Sequence, residues 1–230
     1  MTALVDTPAS RPIHPSEVVP DLNDPTAGAV ALSRELASEH VRMIADPAPL
    51  GLAAFALTTF LLSLVNAGVM PKEAEPVMLG VALAYGGVVQ LLAGMWEFRK
   101  GNVFGATVFT SYGAFWLSFW AYLTFYAEGI PAEHHGVAAG WYLAAWAVFT
   151  SLMLIAALRT TAVLALLFAV VDVVFVLLAL GAFTATPALT TAGGVLGIVA
   201  AGLAWYLCLA GVTASTYGRA ILPNPPLFRD

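Results

Sequence analysis

Asp172 carries the one ionisable group that lies well inside a long apolar segment of the chain. If that segment crosses a membrane, a charge at its centre is disfavoured by about 2.5–3.5 kcal/mol, so the carboxyl group should face protein or water. Two interpretations follow from this. The acid lines or gates a polar path and takes up protons, or it is a protonated or hydrogen-bonded acid at a contact between two helices.

Hydroxyl and amide side chains recur in the first and third apolar segments. They are Thr58, Thr59, Ser63 and Asn66 in the first and Thr107, Thr110, Ser111, Tyr112 and Ser118 in the third. Gln90, in the second segment, needs polar partners because an unpaired amide is costly in hydrocarbon. Such groups would line one side of a helix bundle and bind an anion weakly, which permits throughput. Ser and Thr also join helices through hydrogen bonds, so helix packing remains an alternative.

The segment Asp46-Pro47-Ala48-Pro49-Leu50-Gly51-Leu52 leads from a polar stretch into the first apolar segment. Prolines lack an N–H and suit the first turn of a helix, so we predict that a helix begins near Pro49. Free N–H groups at that helix end favour a carboxylate, and an incoming anion could use them. The alternative is that Asp46 caps the same donors.

Other reactive side chains are sparse, which argues against catalysis. His134 and His135 are adjacent in a loop, and adjacent side chains point in different directions, so the sequence predicts no metal site. Cys208 is the single cysteine and is predicted to be a small buried hydrophobe. No lysine lies inside an apolar segment, which excludes a lysine-linked chromophore. We therefore predict no cofactor and no enzyme.

Six long apolar segments must position these residues. Of the 230 residues 60% are hydrophobic and 10% are charged, and about 20 helical residues cross a hydrocarbon core of about 30 Å. The sequence predicts an all-α membrane protein with six transmembrane helices in a bundle around a central pathway, at residues 49–69, 76–98, 104–126, 141–158, 160–183 and 190–213. Gly80, Gly87 and Gly94 recur every seven residues and leave a smooth face for another helix.

The chain outside the bundle is polar. Residues 1–29 contain five prolines and are predicted to form a disordered cytoplasmic leader. Residues 30–45 carry apolar side chains at helical spacing beside charged ones, which indicates a short amphipathic helix on the membrane surface. The transmembrane domain is expected at residues 46–223, followed by a cytoplasmic tail at residues 224–230.

Basic residues are distributed unevenly between the two ends of the predicted bundle. One end has Arg11, Arg34, Arg42, Arg99, Lys100, Arg159, Arg219 and Arg229, and the other has Lys72. Because Lys and Arg collect on the cytoplasmic side, both termini of this multi-pass protein of the plasma (cell inner) membrane should be cytoplasmic. Glu97 is predicted to join Arg99 and Lys100 in a surface ion cluster. The net charge of −5 gives no indication of nucleic-acid binding.

Three motifs in order resemble the acetate uptake transporter family, whose members include succinate–acetate permeases. They are Asp-Pro-Ala-Pro-Leu-Gly-Leu at 46–52, Tyr-Gly-Gly-Val-Val-Gln at 85–90, and Gly-Asn-Val-Phe-Gly-Ala-Thr-Val-Phe-Thr-Ser-Tyr-Gly-Ala-Phe-Trp at 101–116. The resemblance covers residues 45–223. It implies six transmembrane helices, a hexamer in which each protomer carries its own pathway, and passage of acetate, succinate and other small carboxylates.

The resemblance also implies a narrow hydrophobic constriction made by a Phe, a Tyr and an aliphatic residue. By motif position these are Phe55 and Tyr112, and by counting along the fourth and fifth segments the third is Val171, where Leu is more familiar. The smaller valine suggests that somewhat larger carboxylates pass. Core packing is the alternative for all three residues.

Two acids depart from the family pattern. Asp46 stands where the family motif begins with Asn, which keeps the capping chemistry but adds a negative charge that should slow anions. Asp172, beside the predicted constriction, leaves a proton-linked or gating role open.

The sequence therefore predicts transmembrane passage of small carboxylates, by a channel or a proton-coupled symporter. Substrate contacts are expected from Pro49, Leu50, Gly51, Thr58, Thr59, Gln90, Thr110 and Ser111. One alternative is a pathway for another small neutral solute or an inorganic anion. An alternative of another class is a membrane-bound enzyme or sensor that uses Asp172 with His134 and His135.

Overall fold

The computed structural model describes residues 25–42 and 44–228, and nearly all of the regular structure in these ranges is helical. The helices are α1 (Pro25–Arg42), α2 (Ala48–Asn66), α3 (Glu75–Val81), α4 (Gln90–Lys100), α5 (Val103–Ala121), α6 (His135–Ala157), α7 (Ala162–Thr184) and α8 (Pro187–Tyr217). A π-helical segment, Ala82–Val89, joins α3 to α4, and another, Tyr122–Tyr126, extends α5. The predicted all-α membrane fold is confirmed.

Five helical stretches in the described ranges are long and apolar enough to cross a membrane: Ala48–Asn66, Lys72–Lys100, Ala132–Ala157, Ala162–Thr184 and Pro187–Tyr217. Together with its π-helical extension, α5 is also long enough at about 1.5 Å per residue. Its sequence contains serine, threonine and tyrosine among the apolar residues, and eight of its residues are buried. The predicted count of six spans therefore depends on α5.

The helices pack closely at glycine positions. Helix α2 packs against α8, α4 against α5, and α7 against both α6 and α8. Gly94 of α4 lies against Thr110 of α5, and a Cβ atom on Gly87 would come within 2.6 Å of Leu117 Cδ2. Gly80, by contrast, has open space beside it. The predicted glycine face is therefore used at two of its three positions.

At one end of the bundle, the C-terminal segment contacts the turn between α6 and α7. The Ala162 amide donates to the Pro225 carbonyl at 2.9 Å, and the Leu227 amide donates to the Thr160 carbonyl at 3.0 Å. The Arg159 guanidinium lies 5.7 Å from the ring centroid of Phe228. The predicted tail thus folds against the short turn between α6 and α7 as far as residue 228, and residues 229–230 lie outside the described ranges.

Helix α1 begins earlier than predicted. It starts at Pro25, so residues 25–29 are helical and do not belong to a disordered leader. Proline at the first helical position costs no hydrogen bond, because that N–H has no partner inside the helix. The predicted disorder of residues 1–24 lies outside the described ranges. Leu32 and Leu36 are exposed on α1, and its position on a membrane surface stays a prediction.

Candidate functional site

Two cavities lie on either side of a narrow boundary made by three side chains. The larger, named here the Asn66 cavity, has a volume of about 210 Å³, and the smaller, the Gln90 cavity, about 90 Å³. Phe55 of α2, Tyr112 of α5 and Val171 of α7 line both cavities, and no other described residue does. All three are buried. The structure thus brings together the residues assigned from sequence to a constriction.

Tyr112 is held in place by a hydrogen bond and by neighbouring rings. Its hydroxyl donates to Thr150 Oγ1 at 2.9 Å, because the Thr150 hydroxyl itself donates to the Trp146 carbonyl at 2.7 Å. The ring centroids of Phe55 and Phe149 lie 5.9 and 5.6 Å from that of Tyr112, distances typical of tilted and edge-to-face pairs. Thr150 was missed in the sequence, where a single threonine in an apolar helix gives little signal.

The α2 wall of the Asn66 cavity is polar. Thr59, Ser63 and Asn66 line it, three or four residues apart and therefore on one face of the helix. The Thr59 hydroxyl is buried and has no hydrogen-bond partner among the described residues. A hydroxyl group can both donate and accept, so a solute in this cavity would find a free polar group one turn from Phe55.

Six of the eight predicted substrate contacts do not line either of these cavities: the three in the first turn of α2, and Thr58, Thr110 and Ser111. The Thr58 hydroxyl donates to the Ala54 carbonyl at 2.9 Å within α2. Thr110 lies at Gly94, and neither it nor Ser111 belongs to the cavity walls. The α5 side of the Asn66 cavity is instead formed by Tyr112, Phe115, Trp116 and Phe119. Residues at this spacing occupy one helix face. Of the five polar residues predicted to line the third span, only Tyr112 belongs to the walls of these two cavities.

Gln90, which was predicted to contact the substrate, lines a cavity. Its side chain is 1% exposed and lines the Gln90 cavity together with Asn102. The Gln90 Oε1 atom has no hydrogen-bond partner within the described part of the chain. A buried acceptor without a partner is costly. This oxygen is available to water or to the O–H group of a neutral acid, but an ionised carboxylate has no donor for it.

A third space, the Asp46 cavity of about 360 Å³, continues the series towards the C-terminal segment. Its wall shares Ala48, Leu52 and Leu164 with the Gln90 cavity. The three cavities therefore follow α2 from its first turn to its last.

The first turn of α2 leaves no donors for an anion. The Ala48 amide donates to Asp46 Oδ1 at 3.2 Å, and the Leu50 and Gly51 amides both donate to the Pro47 carbonyl at 3.1 Å. Pro49 has no N–H, so residues 48–51, all described, keep no free amide. The predicted carboxylate contact with these N–H groups is therefore wrong. The Asp46 carboxylate accepts from the Ala48 amide, but the N-cap residue is Pro47, which has no side-chain cap.

The side chains of this turn serve packing. Pro49 lines the Asp46 cavity and lies against Gly211 of α8. Leu50 is 47% exposed. Gly51 lies so close to the Phe109 ring that a Cβ atom would come within 2.6 Å of it. Of the predicted contacts at the first turn, only Pro49 lines a cavity.

Asp46 forms an ion pair that the sequence did not indicate. Its Oδ1 atom lies 2.7 Å from Lys100 Nζ, with both side chains partly exposed. The lysine offsets the negative charge that was expected to slow anions at this end of the bundle.

The Asp46→Asn substitution leaves the Lys100 ammonium unpaired and should speed the initial rate of anion uptake about twofold to fivefold at low salt. Lys100→Ala leaves the carboxylate unpaired and should slow uptake about twofold to fivefold at low salt, and less at physiological ionic strength. Radiolabelled uptake into vesicles at two salt concentrations measures both effects. The double variant should recover the wild-type rate, and a double variant as slow as Lys100→Ala would show that the pair is not the cause.

Asp172 lies outside the walls of all three cavities. Its two carboxylate oxygens accept from the Ser151 hydroxyl of α6 at 2.9 and 3.1 Å. The neighbouring Val171 faces the boundary instead, because adjacent residues on a helix point about 100° apart. This placement matches the alternative stated from sequence, a hydrogen-bonded acid at a helix contact, and it does not favour a gating role.

The predicted surface ion cluster of Glu97 with Arg99 and Lys100 is wrong. The Glu97 side chain is 0% exposed. Helix α4 ends at Gly101, whose φ of 79° turns the chain back. As a result the Asn102 amide side chain donates from Nδ2 to Glu97 Oε2 at 2.9 Å, while its Oδ1 accepts from the Gly105 amide at 3.1 Å as the N-cap of α5. The Gly-Asn pair before an apolar run was the available signal for this cap.

In the described ranges no group of three or more His, Cys, Asp or Glu side chains could hold a metal ion.

Comparisons with known proteins agree with this architecture. Residues 28–228 match the GPR1/FUN34/yaaH family. The chain is 42% identical to acetate permease A of Emericella nidulans over 201 residues, which cover 81% of this chain and 67% of that protein. It is 38% identical over 180 residues to the succinate-acetate/proton symporter SatP of Escherichia coli (strain K12), covering 78% of this chain and 95% of the symporter.

A solved structure gives the same result for the fold. The structure of the bacterial acetate channel SatP superposes on this chain with a TM-score of 0.74 and 38% sequence identity, covering 78% of this chain and 98% of that one. The helical bundle, the cavities in series and the family match over most of the chain lead to one conclusion: this protein is a member of the GPR1/FUN34/yaaH family.

Proposed function

We propose that this chain provides a transmembrane pathway for acetate, succinate and other small carboxylates within a single protomer. The observation that carries the proposal is the meeting of the Gln90 and Asn66 cavities at Phe55, Tyr112 and Val171. A path with wider spaces on both sides of one short apolar constriction suits a small solute that must not bind tightly. The similarity to a permease, a symporter and a channel for acetate supports the same substrate class.

The chemistry of the walls fits weak binding. Thr59, Ser63 and Gln90 provide hydroxyl and amide groups next to the constriction, and no Lys or Arg among the described residues belongs to the walls of the three cavities. A fixed cation would hold a carboxylate longer. At the constriction an isolated carboxylate in low dielectric is strongly disfavoured, so the solute passes there either hydrated or as the neutral acid.

Uptake of radiolabelled acetate into vesicles containing the purified protein tests the proposal, with protein-free vesicles to subtract diffusion through lipid. A proton-coupled symporter accumulates acetate only with an imposed pH gradient, whereas a channel equilibrates it in either condition. If no carboxylate moves in either condition, the proposal fails.

Val171 sets the width of the constriction in this proposal. The Val171→Leu substitution adds one methylene, and one methylene in an apolar site discriminates by roughly tenfold. We expect the rate for succinate relative to acetate to fall by about that factor, because succinate is the larger ion. Competition of unlabelled succinate against labelled acetate measures the change, and an unchanged ratio would place the selective contact elsewhere.

The assembly and its orientation are also proposals. We infer a hexamer in the plasma (cell inner) membrane, with the end that holds Lys100 and Arg159 on the cytoplasmic side together with both termini. Native mass spectrometry in detergent measures the number of subunits. For orientation, single cysteines at Thr160 and at Lys72, in a Cys208→Ala background, can be labelled from outside with a membrane-impermeant reagent. Labelling at residue 160 without labelling at 72 would reverse the assignment.

Two alternatives remain to be tested against this one. A pathway for a neutral solute or an inorganic anion predicts that such solutes compete with acetate, which the same vesicle assay measures. The relatives are named as a permease, a symporter and a channel, so we assign the chain no enzymatic activity. A sensor that uses Asp172 with His134 and His135 is disfavoured, because Asp172 lies at a helix contact with Ser151.

A further inference from the structure

We propose that Glu97 is the proton-binding residue that couples carboxylate passage to the pH gradient, an inference that rests on the proposed transport function. The starting observation is that this acid is 0% exposed within a pathway-forming bundle. Its Oε2 atom accepts one hydrogen bond, from Asn102, and its Oε1 atom has no partner among the described residues. A structural acid would normally have both oxygens satisfied.

Glu97 contacts two residues that line the Gln90 cavity. Gly105 and Asn102 line that cavity. A Cβ atom on Gly105 would come within 2.9 Å of Glu97 Cδ, so the carboxyl group packs closely against a residue of the cavity wall. The same Asn102 that binds Glu97 also faces the cavity, which connects the acid to the space where the solute would lie.

Glu97 lies at one end of a row of polar side chains between α4 and α5, named here the polar seam. Gln90, Gly94 and Glu97 lie on one face of α4, with Thr110 of α5 against Gly94. Three buried atoms along this seam have no hydrogen-bond partner in the described ranges: Gln90 Oε1, Thr110 Oγ1 and Glu97 Oε1. One unpaired atom is an isolated defect, but three on one interface provide sites for water or protons between the acid and the cavity.

The surroundings of Glu97 contain groups that stabilise its ionised form and features that stabilise its neutral form. The ionised form is favoured by the Asn102 amide donor and by the N-terminus of α5, where the helix dipole is positive. The neutral form is favoured by complete burial and by the unpaired Oε1 atom. The charged groups that face Glu97 are Asp46 and Lys100. They pair with each other at 2.7 Å, so their charges largely cancel at the acid.

Coupling then follows from like-charge repulsion. When Glu97 is ionised, its negative charge beside the Gln90 cavity opposes a carboxylate there. When Glu97 takes up a proton the repulsion disappears, so proton binding and anion binding favour each other, and by linkage each raises the affinity for the other equally. The proton leaves from the same carboxyl group when the solute moves on.

The test is acetate uptake by the full chain in vesicles, with and without an inward proton gradient. Glu97→Gln keeps an acceptor for the Asn102 amide but cannot ionise, so exchange of labelled for unlabelled acetate without a gradient should be at least as fast as in wild type, while the stimulation by the gradient is lost. Glu128→Gln makes the same chemical change at an exposed loop position and should behave as wild type. Full stimulation in Glu97→Gln overturns the proposal.

Further outcomes separate this inference from the transport proposal. Wild type that moves no carboxylate ends the proposed function itself. Wild type that moves acetate without any response to pH overturns the role of Glu97 and leaves the pathway standing. If Glu97→Gln does not fold, Glu97→Asp keeps a titratable group in a shifted position. It should retain stimulation but move the midpoint of the pH profile, and an unchanged midpoint overturns the proposal.

Discussion

Val171→Phe should reduce carboxylate flux by at least about tenfold without unfolding the protein, because it places a ring in the boundary between two cavities. Val171 is 6% exposed and lies with Phe55 and Tyr112 where the two cavities meet. The neighbouring spaces of about 210 and 90 Å³ can accept the larger side chain, so the added volume closes the constriction more than it strains the bundle. Labelled acetate uptake into vesicles measures the loss.

Val173→Phe is the matched control for this result. Val173 lies two residues further along α7 and is 47% exposed, so the same substitution adds the same side chain outside the cavity walls. We expect wild-type flux from it. Equal flux in Val171→Phe and wild type would mean that the solute does not pass between these three residues, whereas loss in both variants would indicate damage to α7.

Gly94→Val should have the largest effect on stability, about 3 kcal/mol, because a side chain there meets backbone that cannot move aside. A Cβ atom on Gly94 would lie 2.5 Å from the Thr110 backbone nitrogen. Real Cβ atoms do not approach so closely, so α4 and α5 would have to separate, and α5 carries Tyr112. For a chain of this size the melting temperature in detergent should fall by about 6 to 12 °C.

Gly80→Val makes the control for Gly94→Val. Both glycines belong to the same heptad pattern of the second span, but a Cβ atom on Gly80 would meet no neighbouring side chain or helix within 4 Å. Its substitution changes the same helix propensity without a clash, so its melting temperature should stay within about 2 °C of wild type. If the two variants lose equal stability, the contact between α4 and α5 is not what Gly94 protects.

The three residues between the two cavities could be selected from the sequence. Phe55 and Tyr112 were placed by motif position, and Val171 by counting along helices, and the structure puts all three at one boundary. The helix spans were predictable from hydropathy. A hydrocarbon core requires long apolar segments, whichever helices they pack against. The end of α4 at Gly101 and the cap at Asn102 also follow from local chemistry.

The mistakes share one physical cause, namely that the sequence does not say which face of a helix meets which neighbour. Thr110 and Ser111 were expected to contact the substrate, yet the aromatic face of α5 lines the Asn66 cavity. Free amides were expected at Leu50 and Gly51, yet the Pro47 carbonyl accepts from both. Glu97 was expected at the surface, yet the turn at Gly101 folds Asn102 over it.

By itself the sequence determined the class of protein, its helices and the family to which it belongs, since hydropathy, proline and glycine positions and short motifs are local properties. Only the tertiary structure decided that the cavities meet at three side chains, that Asp46 pairs with Lys100, and that Asp172 faces Ser151 while Glu97 lies beside the cavity. The reason is that a long-range contact depends on helix rotation and on packing against other helices, and an apolar helix gives little amphipathic signal for either.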